Sequence, residues 1–309
     1  MPRTVRHRRR RFRNERMYRR RRALVLGSAA VVVVLVVAVV FGAVGGRFSG
    51  SGFSGRDVVS SSEASATAAV SDADVSRTRM PSPETVKNIT SSLSGSLASI
   101  FSGASYAVSV VDMPSGKTVV GINTTKQFTS ASTYKLYVAY SMISAVEKGT
   151  KTWDSTLNGM TLKECFATMI VNSDNDCPVA WLEENGFSTV NSQVHTAGFT
   201  HTDIEDMNML TTAADLTDYL TRLYKGTFMD ADSRAMLIGY MKTQVYRSGI
   251  PTGIGSNGTV ADKVGFLDGL LHDASIIYTT KGDYVMVILT DGSSWASIAK
   301  AASTIYAAL

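Results

Sequence analysis

Three short runs carry residue types at spacings that can do chemistry. Ser132-Thr133-Tyr134-Lys135, within FTSASTYKLYVAYSMI, sets a hydroxyl and an amine three residues apart. On a helix such residues share a face, so the amine can approach the hydroxyl. A serine hydroxyl is a weak nucleophile until a base takes its proton, and a lysine with a depressed pKa can be that base. A helix N-terminus adds free N–H groups and a positive dipole beside a reacting carbonyl. Ser173-Asp174-Asn175 interrupts a helical pattern in ATMIVNSDNDCPVAWLEE. There Ser173 can relay a proton to a leaving nitrogen, and the Asn175 amide can hold a substrate amide. Lys263-Val264-Gly265 falls in the strand-like run VADKVGFLDG, where the lysine can attract a carboxylate and bias the Ser173 hydroxyl. Gly265 beside it lets a substrate backbone come close. Singly, each motif also has an ordinary reading: an exposed helix start, a plain N-cap, and a solvent-facing lysine.

The elements that must position these residues can be read from periodicity. Val86, Ile89, Leu93, Leu97 and Ile100 recur at helical spacing after Pro83, through to Phe101. Tyr106–Val111 and Thr118–Ile122 read as strands joined at Pro114-Ser115-Gly116, a hairpin signal. A mainly helical stretch runs from Ser132 to about Lys242. Strands return at Val260–Phe266, His272–Thr279 and Tyr284–Thr290, and a closing helix spans Trp295–Ala308. This order predicts an α+β, sandwich-like fold: an antiparallel sheet built from both chain ends, helices packed on it, and an all-helical lobe inserted between. Active sites commonly lie in the cleft between two such lobes.

Taken in this order and context, Ser-x-x-Lys, Ser-Asp-Asn and Lys-x-Gly resemble the signature of class A β-lactamases and penicillin-binding proteins. The segment TLKECFATMIVNSDN resembles the family helix that leads into Ser-Asp-Asn, and Thr211–Asp215 resembles the start of the helix after its active-site loop. The resemblance covers residues 83–309. It implies a serine hydrolase forming an acyl-enzyme with β-lactams or peptidoglycan-peptide amides, without metal or organic cofactor. By resemblance, Ser132 is the nucleophile, Lys135 its proton acceptor and Ser173 the relay. Asn175 and Lys263 bind substrate, Gly265 admits it, and the N–H groups of Ser132 and Phe266 form the oxyanion hole.

The pattern is also broken in places. The middle residue of the third motif is Val264, where the family usually has Thr or Ser, so a hydroxyl that bonds a substrate carboxylate is missing. No arginine follows Arg247 to replace the guanidinium of many relatives; His272 can stand there or be structural. The segment FTHTDIEDMNML, between Gly198 and Thr211, is too short for the usual Glu-bearing loop that activates the deacylating water. Glu205 is the deacylation candidate, with Asn208 beside it; an ordinary surface carboxylate is the competing reading. These departures keep two alternatives open: a DD-peptidase or penicillin-binding protein with slow deacylation, and a non-catalytic domain that binds wall peptides or β-lactams.

Charge and hydropathy address the rest of the 309-residue chain. Its net charge is +5, yet residues 1–22 hold twelve Arg against Glu15, a local +11 that leaves −6 elsewhere. The basic character belongs to the tail, and no nucleic-acid partner is expected for the folded part. Residues 23–46 carry no charge and suffice to cross a bilayer as a helix, with the basic side cytoplasmic. A cleaved signal peptide ending near Ala43 and Gly45 is the rival reading. Residues 47–82, rich in Ser, Gly and Ala, read as a flexible stalk. The expectation is a single-pass membrane protein with a monomeric, extracytoplasmic domain at 83–309. In that compartment the only two cysteines, Cys165 and Cys177, can pair around Ser-Asp-Asn; two small buried thiols are the alternative.

Overall fold

The computed structural model describes residues 87–206 and 208–309. The expected tail (1–22), membrane helix (23–46), stalk (47–82) and helix start at Pro83 lie outside the described residues. No helix among the described residues is long and apolar enough to cross a membrane.

Five antiparallel strands form the central sheet. They are β1 (Ser105–Asp112), β2 (Lys117–Ile122), β7 (Gly258–Leu267), β8 (Leu270–Thr279) and β9 (Gly282–Asp291), in the order β2-β1-β9-β8-β7. The N-terminal hairpin thus pairs with the C-terminal meander through β1 and β9, and β7 is left on an edge. The strand interiors are buried on both faces, which is why they are rich in Val and Ile rather than cleanly alternating. The two faces sort by parity. Val108, Val260, Ile277, Met286 and Ile288 pack on the terminal helices α1 (Thr90–Ile100) and α9 (Trp295–Ala308). Ala107, Ala261, Ala274, Val285, Val287 and Leu289 face the inserted lobe. In α1, Leu93 and Leu97 lie one turn apart on the buried face, and Thr90 Oγ1 accepts from the Gly121 N–H at 2.9 Å, tying the helix to β2. The closing helix is capped by Ser294, whose Oγ accepts from Ser297 N–H.

The lobe holds α2 (Lys135–Glu147), α3 (Leu162–Val171), α4 (Asp176–Asn185), α5 (Phe187–Thr196), α6 (Ala213–Lys225) and α7 (Ala231–Lys242); a short α8 (Ile250–Ile254) leads back to β7. Leu136, Tyr137, Val138, Ala139, Met142 and Ile143 of α2 are all fully buried, so this helix is the axis on which the lobe packs. The expectation of an all-helical lobe needs correction. Two short strand pairs lie within or against it: β4 (Thr156–Leu157) with β5 (Met160–Thr161), and β3 (Gln127–Thr129) with β6 (Leu210–Thr212). The β3–β6 pair closes the approach to Ser132 against the segment that opens α6, and Ser130 N–H extends it by donating to Met209 O at 2.9 Å. Three-residue strands leave no usable periodicity in a sequence.

Candidate active site

Ser132 does not open the first helix of the lobe, as its spacing predicts, but lies in a 3₁₀ turn, Ala131–Tyr134, that feeds it; α2 itself begins at Lys135. The turn is entered through Ala131 at φ 45°, a left-handed conformation that a non-glycine residue rarely adopts. Thr133 closes it from within, its Oγ1 donating to Ser130 O at 2.6 Å. A second left-handed residue, Ser173 at φ 57°, turns the chain between α3 and α4. The Cys165–Cys177 disulfide joins those two helices on either side of it. Asp174 Oδ1 accepts from Cys177 N–H at 3.0 Å and so fixes the start of α4. Backbone strain of this kind persists only where surrounding structure enforces it, and here it aims two serine hydroxyls at one point.

That point is the amine of Lys135, a fully buried side chain. Its Nζ lies 3.1 Å from Ser132 Oγ, 2.5 Å from Ser173 O, 2.8 Å from Asn175 Oδ1 and 3.3 Å from Ser173 Oγ. Burial, and then the charge of Lys263, hold the Lys135 ammonium well below its ordinary pKa, with Asp174 opposing. A neutral amine has two N–H groups and one lone pair. In that neutral form Ser173 O and Asn175 Oδ1 can take the two N–H groups, and the lone pair can then face the Ser132 hydroxyl.

Lys263 is not the solvent-facing lysine of the ordinary reading: it too is fully buried. Its Nζ donates to Ser173 Oγ at 2.8 Å and to Val264 O at 2.7 Å. Burial pulls its pKa down to about 7, while Asp262 and Asp273 pull it up. The Ser173 hydroxyl therefore sits between the two lysines. Asn175 is exposed, and its Oδ1 accepts from Lys135 Nζ at 2.8 Å.

Gly265 shows why the edge strand needs a glycine there. A Cβ on it would lie 3.0 Å from Ser130 O and from Ser132 N, so β7 and the 3₁₀ turn touch backbone to backbone. The carbonyls of Val260, Asp262 and Val264 accept from side chains rather than from a further strand, from Arg247, Gln244 and Lys263 respectively. By the two-residue period of an antiparallel edge, Phe266 presents its N–H to the same open side. The N–H groups of Ser132 and Phe266 can then converge on one oxygen.

The structure does not bring every candidate to this cluster. Glu205 is exposed and accepts from Asn191 Nδ2 at 3.4 Å; its loop is folded back on itself by the Asp203–Leu210 pairing and pinned to α5 where Ile204 N–H donates to Asn191 Oδ1. Asn208 is exposed in the same loop. His272 is no stand-in for the absent guanidinium. It is buried, Thr290 N–H donates to its Nδ1, Nε2–H donates to Thr129 O, and burial lowers its pKa, so it is a neutral tie between β8 and β3. Arg247 is committed as well, to Asp262 and to Val260 O. Sequence reasoning missed Asp262 and Asp273, which lie under the motif on the other face of the sheet. Only the two-residue alternation about Lys263 could have placed Asp262 there.

Comparison with known proteins now decides the family. Residues 89–309 match a family described as the β-lactamase enzyme family. The chain belongs to that family and is a serine hydrolase. No curated protein matches it. Among solved structures, this family member superposes on PBP-A at a TM-score of 0.66 with 20% identity, over 70% of this chain and 95% of that one. It superposes on a variant of the class A β-lactamase of the last common ancestor of Gram-negative bacteria at 0.64, with 20% identity over 70% and 98%. For a β-lactamase from Sphaerobacter thermophilus the values are 0.65 and 19%, over 71% and 96%. At such identities the likeness is one of fold, and the α+β architecture with its mixed-end antiparallel sheet is common to all three.

Proposed function

We propose that this β-lactamase-family chain forms an acyl-enzyme through Ser132 with β-lactams or related cell-wall peptide amides. The observation that carries this is the buried Lys135 Nζ, 3.1 Å from Ser132 Oγ and within 2.5 Å and 2.8 Å of the acceptors Ser173 O and Asn175 Oδ1. In the reaction, Lys135 takes the hydroxyl proton as Ser132 Oγ bonds to the carbonyl carbon, and the Ser132 and Phe266 N–H groups bind the developing oxyanion. The C–N bond then breaks, and the proton passes from Lys135 through Ser173, beside Lys263, to the leaving nitrogen. Asn175 holds the substrate amide. A variant of PBP-A, 18% identical, is known as an acyl-enzyme complex with penicillin G, which supports the same chemistry here.

The exposed position of Glu205, bonded to Asn191, favours slow deacylation, as in a penicillin-binding DD-peptidase, over efficient turnover. In the same reading residues 1–22 are a cytoplasmic tail, 23–46 a membrane anchor and 47–82 a stalk, and residues 83–309 work outside the membrane as a monomer. The charge asymmetry about the apolar run supports that orientation. Intact-mass measurement after penicillin G treatment tests the reading. The expected result is one stable adduct, absent in Ser132→Ala, with little hydrolysis of a chromogenic cephalosporin. Fast turnover would overturn the slow-deacylation part; no adduct and no turnover would leave a non-catalytic binding domain.

A further inference from the structure

Among the described residues the exposed large apolar side chains are Val245, Tyr246 and Phe266, and they fall together beside the edge strand of the site. Scattered exposed apolar residues need no explanation, but a cluster at a cleft does. Tyr246 and Phe266 stack edge to face with ring centroids 5.1 Å apart, and Phe266 and Trp295 do so at 6.4 Å. With Ser248 these three rings line an open pocket of about 200 Å³. An apolar cavity of about 150 Å³ accepts a benzene molecule, so this one has room for one substituted ring. No carboxylate, ammonium or guanidinium lines it. The nearest guanidinium, Arg247, is bonded to Asp262 and Val260 O.

The pocket meets the edge strand of the site at one residue, Phe266. Phe266 contributes its ring to the pocket and its N–H to the open edge of β7, and it directly follows Gly265, which touches the Ser132 turn. Val264, two residues back on the strand, is apolar and fully buried. We propose that this aromatic pocket is a substrate subsite for a neutral, ring-bearing group next to the scissile amide, in place of a carboxylate. The proposal rests on the acyl-enzyme reading and names its substrate class. A carboxylate set against three aromatic rings would lose hydration without gaining a partner, whereas a ring gains both buried area and edge-to-face contact.

The test compares penicillin G with its methyl and benzyl esters on the full chain in detergent, following Ser132 acylation by intact mass. The benzyl ester is expected to react about tenfold faster than the free acid, with the methyl ester between. Tyr246→Ala and Trp295→Ala should each reduce the benzyl-to-methyl ratio several-fold, because both remove ring contacts and neither touches the Ser132 cluster. A second measurement needs no acylation: 4-nitrobenzyl alcohol should quench tryptophan emission, and more weakly in Tyr246→Ala. Acylation without ester preference and without quenching would overturn the subsite and leave the acyl-enzyme intact. Quenching without acylation would sink the acyl-enzyme reading and support the pocket as an aromatic site. If the free acid reacts fastest, or the ratio survives both substitutions, the subsite is wrong.

Discussion

At the scale of single residues, the site depends on two buried lysines that must hold different charges. In the proposed reaction Lys135 acts as an amine and Lys263 as an ammonium, and the charge of Lys263 lowers the affinity of Lys135 for a proton. Acylation should therefore rise with pH as Lys135 deprotonates and fall through about pH 7 as Lys263 loses its charge. In Lys263→Gln the positive neighbour is gone, so the Lys135 pKa rises, the ascending limb moves to higher pH and the descending limb disappears. Acylation rates by penicillin G between about pH 5 and 9 would read this. An unmoved ascending limb would show that the two amines do not interact. That these four side chains meet was legible because Ser, Lys, Ser and Lys are themselves the motif. The left-handed backbones of Ala131 and Ser173 were not, since neither residue type advertises a positive φ. Nor was the burial of Lys263, because a lone lysine in a strand ordinarily faces water.

Among elements, the decisive contact is β7 against the 3₁₀ turn. Gly265→Ala puts a methyl 3.0 Å from Ser130 O and Ser132 N, both backbone atoms that cannot swing aside. Strand and turn must separate by a few tenths of an ångström, which displaces the two oxyanion donors from each other. The expected outcome is acylation slowed by about 10–100-fold with the fold retained, since misplacement on that scale is costly to positioned chemistry. Stopped-flow acylation together with circular dichroism checks it; an unimpaired rate would mean that the two N–H groups do not act together. The sheet strands and the closing helix were readable from the sequence almost to their ends, because long buried runs and a strong cap fix them. The β3–β6 pair and α8 were not. They are three and five residues long and are held by tertiary hydrogen bonds rather than by their own pattern.

For the molecule as a whole, the sheet separates two sets of buried charge. Lys135 and Lys263 lie on the lobe side; Asp262 and Asp273 lie on the side of the terminal helices, with Arg247 bonded to Asp262. Asp273 Oδ2 accepts from Ile250 N–H and Oδ1 from Ser275 Oγ, while Asp262 Oδ2 is buried without a hydrogen-bond partner. Burial raises the pKa of Asp273 to about 7, and burial with the neighbouring Asp273 charge raises that of Asp262 to about 9. Both folded-state values exceed the unfolded ones, so the folded chain binds more protons and stability falls as pH rises from about 4 towards neutrality. The pair thus costs stability as pH rises through neutrality, while Asp273, partly ionised near pH 7, supplies negative potential that favours a charged Lys263. Asp273→Asn keeps an acceptor for Ile250 N–H and offers Ser275 Oγ an N–H in return. Its stability should vary less between pH 4 and 7, and at pH 7.5 it should exceed the parent by about 1–3 kcal/mol in urea unfolding. The same substitution removes a favourable neighbour of Lys263, so the descending limb of acylation should move to lower pH. A stabilised variant with an unchanged limb would mean that the acidic pair serves packing alone. A destabilised one would mean that the Asp273 carboxylate is worth more to the α8 start than its burial costs.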